Sequence, residues 1–169
     1  MLTLRNSRLS TMLPSCCLER LISLDVSGNE LTVVMVYSNF PRLQLLNLSG
    51  NALAMLRRDE FSSFPGLRIL DVGANRIATV HWEAFRLFNL SALYLNDNQI
   101  SLINEHAFRF APGLEKLDLS GNELSFVHGS NFYFTPKLKW LSLARNRISR
   151  LEHDAFASLK LLRHLDLGS

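Results

Sequence analysis

One octapeptide frame, L-x-L-x-x-N-x-L with Val or Ile allowed at the later leucines, recurs six times in this 169-residue chain. It reads LDVSGNEL from Leu24, LNLSGNAL from Leu46, LDVGANRI from Leu70, LYLNDNQI from Leu93, LDLSGNEL from Leu117 and LSLARNRI from Leu141. A degenerate copy opens the chain at Leu2 to Leu9, with Ser7 in the Asn place, and a truncated one closes it at Leu165 to Ser169. Successive copies are offset by 22, 22, 24, 23, 24, 24 and 24 residues. Self-similarity at a fixed period of this length is the mark of stacked supersecondary units, which excludes a fold built around one unrepeated core.

Within each unit the apolar positions alternate, as in Leu67, Leu70 and Val72 or Leu114, Leu117 and Leu119. Such a pattern predicts a short strand that points leucines inward and the intervening residues outward. One strand of this kind cannot bury its apolar face alone, whereas copies paired in parallel form a continuous core. The asparagines Asn29, Asn51, Asn75, Asn98, Asn122 and Asn146 follow the strand where the chain turns back. A carboxamide both donates and accepts, so it can satisfy buried turn amides and carbonyls of adjacent coils. These residues are expected to form a structural ladder.

Ten residues after their asparagines stand Phe61, Phe85, Phe108, Phe132 and Phe156, a column expected to fill the space opposite the strands. Five residues after each asparagine lie Val34, Leu56, Val80, Ile103, Val127 and Leu151, which should close the core between strand and phenylalanine. On these residues the chain resembles leucine-rich-repeat proteins of the pattern LxxLxLxxNxLxxLxxxxFxxLxx. The period and the Asn-to-Phe spacing resemble the ectodomains of Toll and Toll-like receptors, Slit-type guidance proteins and chaoptin-type adhesion proteins. The fold this implies is an α/β-type solenoid, a horseshoe with a parallel concave β-sheet and a mostly irregular convex side. Residues 1–169 are then expected to form a single domain of about seven repeats. Because no disulfide-bonded cap of the kind such ectodomains use is present, the chain is expected to be an uncapped fragment of a longer protein.

Chemistry-bearing arrangements are missing from the sequence. It has no phosphate-cradling glycine loop, HExxH motif, nucleophile elbow or CxxC pair. Asp25, Asp71, Asp118 and Asp166 share an outward strand column but stand two units apart, roughly 10 Å at the strand spacing of a sheet, which suits a recurring consensus position better than an acid/base pair. His81 and His128 are likewise two units apart, too far to share one zinc. No enzyme, catalytic residue, metal site or cofactor is expected. Cys16 and Cys17 are adjacent and cannot build a spaced disulfide framework; they are expected on the convex side of the irregular first unit.

The net charge of +3 is concentrated toward the C-terminus, where residues 137–169 hold seven Lys/Arg against three Asp/Glu. No run of 18 apolar residues encodes a membrane span, and the first ten residues lack the apolar stretch of a secretory signal. The triplets Asn47-Leu48-Ser49 and Asn89-Leu90-Ser91 are acceptor sequences for N-glycosylation in a secreted protein.

Binding in such an architecture is expected on the concave strand face, at outward positions the leucine core does not require. One column there reads Ser23, Leu45, Ile69, Ala92, Lys116, Trp140, His164, and the other Asp25, Asn47, Asp71, Tyr94, Asp118, Ser142, Asp166. Ile69, Tyr94, Lys116, Trp140 and Arg145 are the candidate ligand-binding residues, a mixed aromatic and basic patch. What the resemblance implies is a protein-binding recognition module of a cell-surface or secreted receptor or adhesion protein, in innate immunity among other settings. Its partner would be a protein ligand or co-receptor, with no nucleic acid expected, a homo- or heterodimer compatible, and a membrane reached only through segments absent here. The unpaired cysteines and missing signal favour the alternative, an intracellular scaffold or adaptor.

Overall fold

A computed structural model of the protein describes residues 1–11, 18–34, 39–82 and 84–168. Cys16 and Cys17 lie outside the described residues. Among the described residues eight short strands form one all-parallel sheet: Leu2–Thr3, Ser23–Asp25, Leu45–Asn47, Ile69–Asp71, Ala92–Tyr94, Lys116–Asp118, Trp140–Ser142 and His164–Asp166. Each unit contributes one strand, and the strands are in register at the frame leucines, Leu24 on Leu46 on Leu70 on Leu93 on Leu117 on Leu141 on Leu165. A slip by one residue would turn every leucine outward, so the repeated frame itself fixes the register.

The asparagine ladder is as expected. Asn98 donates from Nδ2 to Leu95 O and Val72 O, both at 3.0 Å, and accepts the Ile77 N–H on Oδ1 at 2.9 Å. Val72 O also accepts from Asn75 Nδ2, so each such carbonyl is shared by its own asparagine and the next one. The same pattern joins Asn51 to Val26 and Leu31, Asn75 to Leu48 and Leu53, Asn122 to Leu95 and Ile100, and Asn146 to Leu119 and Leu124. Backbone that would otherwise be orphaned by the turn is thereby paired without helix or sheet.

Behind the ladder the phenylalanine column is buried from Phe61 to Phe132 and half-buried at Phe156, and its rings stack from Phe61 to Phe108 and again from Phe132 to Phe156. Phe61, Phe85, Phe108 and Phe132 are inaccessible to water. Their ring centroids lie 6.1 Å apart for Phe61–Phe85, 5.9 Å for Phe85–Phe108 and 6.1 Å for Phe132–Phe156. Residue 39, ten after Asn29, is not a phenylalanine, and Phe40 instead stacks on Phe64 at 5.5 Å in a neighbouring column. Among the described residues the side away from the main sheet is irregular except for two short parallel pairs, Thr79–Val80 with Leu102–Ile103 and Phe126–Val127 with Arg150–Leu151, a single parallel bridge from Leu56 to Val80, and one 3₁₀ turn at Gly129–Phe132. Val80, Ile103 and Val127 close the core from there, while Leu151 in the same column is exposed.

Candidate functional site

The eight strands present two outward columns, one on each side of the buried leucine, and the structure gives them different duties. In the column after the leucine, a side-chain oxygen accepts the backbone N–H two residues on. Asp25 takes Ser27 N–H at 3.1 Å, Asn47 takes Ser49 at 2.9 Å, Asp71 takes Gly73 at 2.9 Å, Asp118 takes Ser120 at 3.0 Å and Asp166 takes Gly168 at 2.9 Å. Ser142 makes a longer version to Ala144 at 3.4 Å. A short acceptor there mimics a backbone turn and starts the chain's exit from the strand. Sequence reasoning treats this column as free to vary; the structure corrects that, because five of these residues hold the turn. Tyr94 breaks the column, since a phenol cannot fold back onto its own backbone in this way.

Tyr94 instead joins the other column. The Lys116 ammonium lies 5.0 Å from the Tyr94 ring centroid and 4.4 Å from that of Trp140. On its far side Trp140 stacks flat against His164, at 5.2 Å and 4° between planes. Register sets this group: Lys116 pairs with Trp140 and Trp140 with His164, while Tyr94 pairs with Asp118 on the strand of Lys116. A cation over each ring face is worth about 0.5–1 kcal/mol at a partly wet site. The rings and the lysine stem are thus preorganised across four consecutive strands before any partner arrives.

Of the five candidate residues, the structure brings Tyr94, Lys116 and Trp140 together. Ile69 is half-buried on the same face, paired with Leu45 and Ala92, an apolar shoulder two strands from Lys116. Arg145 stands apart: its Nη2 meets Asp97 Oδ1 at 3.1 Å, 48 residues earlier and two units away. Both residues have left-handed backbones, φ 53° and 52°, at the position where Gly28, Gly50 and Gly121 sit in other units. Gly121 lies between them, and a methyl group there would collide with the Asp97 carboxylate. His164 and Asp97 are the members that sequence reasoning underused; the signal for Asp97 is a charged residue in a glycine column.

The acids of the turn column differ in electrostatics. Burial pushes Asp25 up, but hydrogen bonds from Arg5 and Ser27 outweigh it and hold the carboxyl below its ordinary range. Burial also pushes Asp71 up, the Gly73 N–H opposes it, and the charges of Asp25 and Asp118 add to the rise, so its proton is held more tightly than usual. Counting outward strand positions, four Asp stand against one Lys, a formal −3 with His164 neutral. No group of three or more His, Cys, Asp or Glu among the described residues could hold a metal ion.

Three consecutive stretches, residues 19–77, 65–124 and 112–169, match the leucine rich repeat family. The chain belongs to the leucine-rich-repeat family. Such repeats are interaction scaffolds, and solved structures carry the same architecture. The TLR13–ssRNA13 complex is matched with a TM-score of 0.84 at 33% identity, over 89% of this leucine-rich-repeat chain and 22% of that one. The Leptospira interrogans protein LIC12759 is matched with a TM-score of 0.85 at 28% identity, over 99% and 42%. Mouse RP105 in complex with MD-1 gives 0.78 at 28%, over 91% and 28%. The chain therefore spans less than half the length of each of these relatives. No curated protein matches it in sequence. Repeats of about 24 residues and the likeness to TLR13 and RP105 make it a leucine-rich-repeat protein of the Toll-like type. No helix among the described residues is long and apolar enough to cross a membrane.

Proposed function

We propose that this leucine-rich-repeat chain is the protein-binding part of a cell-surface or secreted receptor, and that its partner docks on the concave face over Tyr94, Lys116 and Trp140. The observation that carries the reading is the cation held between two rings on a face the core does not need. Large aromatic area at little rotamer cost is what interface anchors supply. Ile69 extends the patch on one side. Arg145 contributes at its margin, through whatever donor capacity Asp97 leaves. The resemblance to Toll-type ectodomains supports the extracellular placement.

RNA is a second reading, favoured by the likeness to a chain solved with single-stranded RNA and by the half-exposed rings of Tyr94 and Trp140. The charge of the face argues against it. Phosphate binding draws its strength from neutralising cations, whereas the outward strand positions carry four Asp and one Lys. A panel of secreted and surface proteins, with a single-stranded RNA oligomer included, separates the readings by surface plasmon resonance. Tyr94→Ala and Trp140→Ala are each expected to weaken a true protein partner by about 1 kcal/mol, roughly fivefold, with little change in melting. Wild-type affinity in the double variant would move the docking site elsewhere. Salt-sensitive binding of the oligomer alone would favour RNA.

A further inference from the structure

The turn that leads into each concave strand repeats as closely as the strand does. It reads Phe40-Pro41-Arg42-Leu43, Phe64-Pro65-Gly66-Leu67, Ala111-Pro112-Gly113-Leu114 and Thr135-Pro136-Lys137-Leu138. In each of these four the leucine N–H donates to the carbonyl of the first residue at 3.1 Å. Proline suits the second place because its fixed φ is that of the turn. Three units depart from this, with Glu19 in Leu18-Glu19-Arg20-Leu21, Lys160 in the last and Phe88 in Leu87-Phe88-Asn89-Leu90. The turn survives there, with Leu90 N–H to Leu87 O at 2.9 Å, so Phe88 is not needed to make it. Its ring touches Phe110 edge-on at 5.7 Å and is still 62% exposed.

The residue after this ring is Asn89, the start of an Asn-Leu-Ser triplet. Phe88 and Asn89 line one shallow depression together with Asp59, Ser62, Pro65 and Arg86. Asn89 Nδ2 donates to Pro65 O at 3.0 Å, which fixes the carboxamide beside the depression. Arg86 Nη1 meets Asp59 Oδ1 at 3.3 Å, placing charged donors and an acceptor on its wall. An apolar ring face bordered by such groups suits a pyranose, whose C–H face can lie on the ring while its hydroxyls reach the polar wall. Asn47, the other triplet, offers no such seat: its Oδ1 is tied to Ser49, and its sheet neighbours in the column are Asp25 and Asp71.

The geometry points to Asn89 as an N-glycosylation site whose first N-acetylglucosamine is seated in this depression against Phe88. The inference rests on the extracellular reading above. In the transfer, a lipid-diphosphate-linked oligosaccharide is the co-reactant. Its anomeric C1–O bond breaks, a C1–Nδ2 bond forms, and the lipid diphosphate leaves with the bonding pair and, in the overall balance, takes up the one proton that Nδ2 gives up. The nitrogen keeps one N–H.

The test routes the full chain through the secretory pathway of glycosylating cells and maps occupancy by glycopeptide mass spectrometry. The glycan is then trimmed to its first sugar, and melting is compared with that of Asn89→Gln, in wild-type, Phe88→Tyr and Phe88→Ala backgrounds. Asn89 is expected to be occupied. The single sugar should raise the Tm by about 2–4 °C, the shift of one good contact in a chain of this size, with the gain kept in Phe88→Tyr and lost in Phe88→Ala. The acetyl methyl proton resonance should move upfield through the ring current only where an aromatic ring is present. An empty Asn89, or an equal gain in Phe88→Ala with no ring-current shift, overturns the inference and leaves the extracellular reading standing. Finding the untouched protein in the cytosol of its own cells would overturn both.

Discussion

Two sets of side chains in this molecule are stacked at one-unit spacing, and they do opposite things. The inner columns, Asn51 to Asn122 and Phe61 to Phe132, are buried, and Phe61, Phe85 and Phe108 stack one on the next. The outer group of Tyr94, Lys116, Trp140 and His164 is just as regular in register but half in water. Repetition alone therefore does not tell a column that holds the fold from one that only lies on its surface. What separates the two sets is whether a side chain completes something the backbone lacks.

That difference is sharpened first where it should be largest. Phe108→Ala is expected to cost about 3–5 kcal/mol in a urea melt, since Phe85 stacks on it and a buried void of this size does not collapse easily. A loss below about 1 kcal/mol would show that the inner column is not what holds the units together. Next comes Asn98→Ala, which strands the Ile77 N–H and removes one partner from Val72 O and Leu95 O. About 2–3 kcal/mol is expected, because orphaned buried groups lose their full solvation; an unchanged melt would mean that the ladder is dispensable.

The smallest effect should have the opposite sign. Asp71→Asn keeps the acceptor for Gly73 N–H, as Asn47 does one unit earlier, and removes a carboxylate that burial and its neighbours disfavour. With its folded-state proton held more tightly than in the unfolded chain, Asp71 binds more protons when folded. Wild-type stability should therefore fall as pH rises from the ordinary carboxylate value through the raised one. Asp71→Asn should flatten that fall and gain on the order of 0.5 kcal/mol at neutral pH, held down by the group's contact with water. Asp25 runs the other way: its contribution is present above the unfolded value and fades as pH drops through its lowered one. Denaturant melts from about pH 2 to 7 separate the two, and a loss of stability in Asp71→Asn at neutral pH would contradict the sign.

The inner columns were legible in the sequence because they are periodic and because a buried Asn or Phe has one good explanation. Register, parallel pairing and the ladder all follow from that. The turn-holding role of Asp25, Asn47, Asp71, Asp118 and Asp166 was less visible, since an outward acid on a strand reads as a surface residue until the backbone bends beneath it. A signal existed in the small residue two places on, Ser27, Ser49, Gly73, Ser120 and Gly168, against Asn96 after Tyr94. Asp97 itself was marked by a charge in a glycine column, but its contact with Arg145 was not legible, because it spans 48 residues and needs two left-handed backbones with a glycine between them. The candidate patch fell in between: its strand positions were legible, and the placement of the lysine ammonium between the rings was not.

The shared carbonyls of the ladder also have a mechanical meaning. Each asparagine fastens its own turn to that of the preceding unit, so tension applied along the stack falls in full on every such fastening in series and is not shared among them. Pulled from its ends, the chain should lengthen in steps, each freeing one unit of about 24 residues, roughly 80 Å of contour at 3.4 Å per residue. The protein would behave less like a rod that snaps than like a row of stitches that gives way singly, leaving the remaining stack in register.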